Sequence, residues 1–145
     1  MKPFLLAIAT ALIWGIAPIF EKIGLGKIDP TMGVILRGFG VFACVLMLFL
    51  WQIRPTEGNN FLAGFMAMDK RAMFFILLGG IIATFFGQLF FYRALKLGMV
   101  SQVVPVAASY PLVTFIIGVI FLGDVVTASK VAGIVLVVAG VFFLS

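Results

Sequence analysis

Arg37 is the only charged residue between Pro30 and Arg54. A guanidinium carries five N–H donors in a planar fork, which suits a carboxylate or a phosphate. A charge inside an apolar run is costly and faces protein or water rather than lipid. Gly40 and Cys44, three and seven residues on, share its helical face and turn it toward protein. Arg37 has two readings: it holds an anionic group of a solute, or it is a structural arginine that snorkels or caps carbonyls. Gly80, Thr84, Gln88 and Tyr92 recur at spacings of four, with Gly79, Ala83 and Gly87 beside them. In a regular helix they form one close-packing, polar side. That side lines a solute path, or packs with Gln88 and Tyr92 satisfied by neighbouring backbone.

A further group of residues interrupts backbone bonding. Pro105 and Pro111 stand six residues apart in the charge-free run from Val100 to Leu122. Each removes an amide donor, so a carbonyl one turn earlier loses its partner. At membrane depth such carbonyls are tolerated where protein, polar side chains or a water-filled cavity can meet them. Ser101, Pro105 and Ser109 share a face, and Tyr110 adds a hydroxyl beside the second proline. A broken helix of this kind is a candidate solute site, and a purely structural kink is the alternative. Thr10, Trp14, Pro18 and Glu21 align in the same way near the N-terminus, so a second proline break and an acid face one direction. Trp14 and Tyr110 offer rings for stacking. Glu21 and Asp124 lie at helix ends, where a solvated carboxylate is the simpler reading and a proton carrier the alternative.

The elements that position these residues emerge from composition. The 145 residues are 64% hydrophobic and 10% charged, against about 45–50% and 25% in soluble domains. The chain therefore reads as an all-α integral membrane protein. Five apolar runs, about 3 to 21, 31 to 53, 72 to 95, 100 to 122 and 128 to 144, predict five transmembrane helices in one domain over 1–145. The opening "MKPFLLAIATALIW" has signal-peptide features, but its apolar run continues to Phe20 and predicts a retained helix. The stretch "FLAGFMAM" reads as a loop resting on headgroups, with a short interfacial helix as the alternative. Ala132 and Gly133 recur as Ala139 and Gly140, a small-residue seam for helix packing or a dimer contact.

Several function classes drop out. The net charge is +5, but the cations stand singly at span ends, where they meet headgroups, which argues against nucleic-acid binding. One cysteine and no histidine leave no intrachain disulfide and no His or Cys metal site, and no cofactor is expected. No nucleophile with a positioned base is recognisable, so the chain is not read as an enzyme.

An odd number of spans puts the termini on opposite faces. The N-terminal face then carries Lys2, Arg54, Lys70, Arg71 and Lys130; the other carries Lys22, Lys27, Arg93, Lys96 and Arg37. The tie prefers neither orientation. Two oppositely inserted copies would form an antiparallel homodimer with the symmetry of an inverted repeat.

The segments "ALIWGIAPIFEK", "LRG", "FFYRALKLGMVSQVVPVAASYPLVTFIIGVIFLGD" and "KVAGIVLVVAGVFFL" together resemble the EamA domain of the drug/metabolite transporter superfamily. The resemblance covers nearly the whole chain, and its most specific part runs from Tyr92 to Asp124. It implies half of a ten-helix, inverted-repeat transporter, similar to single-domain bacterial and archaeal members in the cytoplasmic membrane, paired around a solute cavity. Asp124 stands where the family usually has glutamate after "FLG". More distantly the chain resembles the small multidrug resistance proteins. Their mid-helix acid has no counterpart between Ala11 and Gly15, which argues against proton-coupled cation export. The combined reading is a secondary transporter working by alternating access, with Trp14, Arg37, Thr84, Gln88, Tyr92, Ser109 and Tyr110 on the solute. Pro18, Pro105 and Pro111 break helices in this reading, and Glu21 is the candidate for proton coupling. A membrane subunit that serves a partner protein without transporting is the rival.

Overall fold

The computed structural model describes residues 3–54 and 61–144, and those in secondary structure are all helical. The first helix, α1, runs Pro3–Leu25, four residues beyond its expected end, continuing through Gly24 to the turn at Gly26. It then closes with Lys27 N–H bonded to the Gly24 carbonyl at 3.0 Å. The second, α2, spans Pro30–Gln52. Its start combines two local signals: Asp29 accepts from Thr31 N–H at 2.9 Å, and Pro30 supplies a preset φ in the first turn.

The connection after α2 contains a six-residue helix, α3, Phe61–Met66, so the loop reading of this stretch is corrected. Phe61 sets its edge against Phe49 of α2 at 5.8 Å and lies 6.3 Å from Phe65, an aromatic cluster that gives the short turn tertiary support. The expected Arg54–Arg71 connection also includes 55–60, which lie outside the described residues.

The third apolar run is one long helix in three parts: α4, Lys70–Ile81; a π-helical stretch, Ile82–Gly87; and α5, Gln88–Leu97. Asp69 caps its start by accepting from Ala72 N–H at 2.8 Å. Next come α6, Val100–Ala107, and α7, Tyr110–Ile117, which continues into a second π-helical stretch, Gly118–Leu122. The last helix, α8, is Ala128–Leu144. Four helical stretches among the described residues are long and apolar enough to cross a membrane: Pro3–Leu25, Pro30–Gln52, Lys70–Leu97 and Val100–Leu122. With 17 residues, α8 is about 25 Å long and sits at the short end of the spanning range.

The chain divides into two units, Gly24–Arg93 and Met1–Ile23 with Ala94–Ser145. In the first, the Leu25, Val34 and Tyr92 side chains are buried; in the second, Leu95 has no exposed surface. Most large apolar side chains elsewhere face outward. Lipid is as apolar as leucine, so such helices are held by close packing and polar contacts rather than by an oily core.

Candidate functional site

The fourth span is broken at its middle. α6 ends at Ala107, Ala108 and Ser109 form a turn, and α7 begins at Tyr110 with Pro111 in its first turn. The turn lies roughly 13 Å from Val100, close to half the thickness of a bilayer core. Lacking an N–H, Pro111 leaves the Ala107 carbonyl without its donor one turn on, as Pro105 does for Ser101. Local bonds close the turn on carbonyls other than these two. Ala108 N–H reaches the Val104 carbonyl at 2.8 Å, and Ser109 gives both its N–H (3.2 Å) and its hydroxyl (2.7 Å) to the Val106 carbonyl. The Ser109 oxygen keeps its acceptor capacity, and the neighbouring Tyr110 ring is exposed.

Trp14 lies exposed on α1, in the same unit. Pro18, four residues on, is buried inside the helix and deprives the Trp14 carbonyl of its donor. The helix nevertheless runs through Pro18 without a gap. Glu21 is half-buried in its last turns.

In the other unit, Arg37 is half-buried about 10 Å along α2. Gly33, one turn earlier on the same face, is where α5 arrives. A Cβ there would meet the Tyr92 ring at 3.0–3.1 Å and the Leu25 side chain at 3.1 Å. Tyr92, only 4% exposed, thus packs its ring on α2 one turn from Arg37. Neither Gly33 nor this packing was visible in the sequence, since the two residues lie in different spans.

The four-residue row on the third span needs correction. The π-helical turn at Ile82–Gly87 advances the next residues by about one position, ~100° of rotation. Gln88 and Tyr92 therefore continue the row of Gly79 and Ala83 instead of that of Gly80 and Thr84. Thr84 turns its hydroxyl back onto the Gly80 carbonyl inside its own helix.

Two further polar devices went unread in the sequence. Lys22, counted there only as an interfacial charge, donates to the carbonyls of Leu95 and, at 2.8 Å, Gly98. It caps the end of α5 from α1 and favourably meets the negative end of the helix dipole. Space for this turn depends on Gly98, where a Cβ would stand 2.8 Å from Val103. The second device is the turn in "FLGD". Gly123 has φ +71, and the N–H groups of Gly123 and Asp124 both reach the Gly118 carbonyl, closing the helix end through a left-handed glycine. This folds the Asp124 carboxylate over Gly118, where an added Cβ would approach it to 2.6 Å.

Ala132, Gly133, Ala139 and Gly140 all lie on α8. A Cβ at Gly133 or Gly140 would meet nothing within 4 Å, so the glycine seam is open. An apolar groove of about 560 Å³ runs between α7 and α8, lined among others by Leu112, Val138, Ala139 and Phe142. None of the polar residues expected at the solute lines it.

Comparison with known proteins gives the family of the chain. Residues 1–145 match the EamA-like transporter family. The chain belongs to that family. Two relatives of similar length accompany it. An uncharacterized protein of Methanocaldococcus jannaschii is 23% identical over 97% of this chain and 94% of its own length. A Sinorhizobium protein described as an uncharacterized transporter in the cobO 3′ region is 27% identical over 96% and 93%. No solved structure matches. The chain is thus a multi-pass membrane protein of a transporter family.

Proposed function

We propose that this EamA-like chain is a secondary transporter that moves a small metabolite or drug-like solute across a bacterial or archaeal cytoplasmic membrane by alternating access. The observation that carries this reading is the mid-span break at Ala108–Ser109, in a chain whose whole length matches a transporter family. Ser109 hydrogen-bonds the solute at the broken span, with Trp14 and Tyr110 of the same unit stacking on it; Arg37, in the other unit, is the candidate for holding an anionic group. Tyr92 fixes α5 on α2 beside Arg37, and Glu21 is the candidate proton carrier. Pro111→Ala restores an N–H for the Ala107 carbonyl and makes the span continuous. Turnover of the purified protein in vesicles is then expected to fall on the order of tenfold, about 1.4 kcal/mol in a barrier. Unchanged turnover would reduce the break to packing, and wild-type protein that moves nothing alone would favour a subunit serving a partner.

The working unit in this reading is a homodimer of oppositely inserted copies, meeting along the open seam of Ala132, Gly133, Ala139 and Gly140. The near-even division of flanking cations, five against four with Arg37 set inside α2, supports it. Gly26→Cys and Val126→Cys, each in a Cys44→Ala background, place a thiol in connections at opposite ends of the spans. A membrane-impermeant reagent on intact cells is expected to label each in about half the molecules, the even split that balanced loop charges imply. All-or-none labelling of the two sites would rule out the inverted homodimer.

A further inference from the structure

An exposed apolar helix, α3, lies in sequence just before two cations, Lys70 and Arg71, at the start of α4. α2 leaves the membrane at Gln52 and α4 enters it at Lys70, so both ends lie on the same face. Between them α3 is only about 9 Å long, far too short to cross, so it stays on the face where α2 ends and α4 begins. Phe61 holds it to α2 through Phe49. Leu62, Phe65, Met66 and Met68 stay exposed, Met66 by 85%.

Beside this patch stand Lys70 and Arg71, in the first turn of α4. Cations there face the positive end of their own helix dipole, an unfavourable placement. Lys22 and Lys96, by contrast, sit in last turns, and Lys130 donates back to the Val125 carbonyl at 2.8 Å. Lys70 has no partner among the described residues, and Arg71 rests over the Phe75 ring at 5.8 Å. The neighbouring carboxylate, Asp69, is engaged by Ala72 N–H at 2.8 Å, and the first turn of α4 contains no acid.

We infer that α3 and the first turn of α4 form a docking surface for anionic phospholipid, with α3 seated among the upper acyl chains and Lys70 and Arg71 on lipid phosphates. The apolar patch sets the depth, and the two cations choose the headgroup. Each cation held at an anionic surface is worth about fivefold in lipid preference, so the pair gives about 5- to 25-fold.

Trp51, exposed at the end of α2, reports on this region, and Trp14→Phe makes it the sole indole. The protein is reconstituted in mixed phosphatidylcholine and phosphatidylglycerol vesicles in which one or the other lipid is brominated. Brominated phosphatidylglycerol is expected to quench Trp51 with that preference over brominated phosphatidylcholine, and about 0.5 M salt should weaken it. Lys70→Gln with Arg71→Gln should bring the ratio close to one. Equal quenching by the two lipids in the parent, or a preference that survives the double substitution, overturns the assignment. Native mass spectrometry of the unsubstituted chain and of Lys70→Gln/Arg71→Gln keeps the test open should Trp14→Phe fold poorly. Phosphatidylglycerol adducts retained on the parent and lost from the double variant support the surface, and equal retention rejects it.

Discussion

Arg37→Ala is expected to abolish uptake of a carboxylate- or phosphate-bearing solute while leaving the protein folded and assembled. The guanidinium is half-buried one turn from Gly33, where the Tyr92 ring packs on α2, whereas Gly40 and Cys44, expected to turn this face toward protein, are exposed. Truncating one partner of a buried charged pair typically costs about 2–5 kcal/mol, hence on the order of 30-fold or more in apparent affinity. The measurement is uptake into vesicles by the purified protein across a panel of anionic and neutral solutes of similar size. A selective loss for the anionic members places Arg37 at the solute, and Arg37→Lys should recover part of it, since an ammonium keeps the charge but loses the fork. An equal loss for all solutes would make the arginine structural; unchanged kinetics would remove it from the site.

Lys22→Met should have the largest effect on stability. The substitution keeps the length and apolar stem of the side chain but removes the donor from two carbonyls. Leu95 has no exposed surface, so water cannot replace the ammonium at its carbonyl. Hydrogen bonds to charged groups contribute about 1.5–3 kcal/mol each, and a loss of about 2–4 kcal/mol is expected after relaxation. In detergent this corresponds to an apparent Tm lower on the order of 10 °C. Lys22→Arg, which keeps a charged donor, should lose much less. A variant as stable as the parent would return Lys22 to the role of an interfacial charge.

Residues that read themselves were those whose effect is covalent or compositional. The apolar runs, their cation-flanked ends and the family motifs from Tyr92 to Asp124 led directly to a helical membrane protein of the EamA-like family. Asp29 beside Pro30 announces a helix start by local chemistry alone. Proline's missing N–H is likewise local, so the places where carbonyls lose donors can be named from the chain alone. The π-helical turn at Ile82–Gly87 could not be read in this way. The weak helix formers of "IATFFG" are common in apolar spans and do not announce a π-helical turn, and the extra residue in that turn shifts Gln88 and Tyr92 off the expected row.

The remaining features depend on partners far apart in the chain. Lys22 finds Leu95 at a separation of 73 residues, Gly33 receives the ring of Tyr92, and α3 draws support from Phe49. Within a membrane segment the hydrophobic pattern carries little information about such pairings, because lipid-facing and protein-facing positions are equally apolar. Hydropathy, charge and proline therefore settled where the chain crosses and where its backbone is left unpaired. Which donor caps which carbonyl, which glycine admits which ring, and which cation meets a helix end were settled by packing, since those depend on distances between side chains that no local pattern encodes.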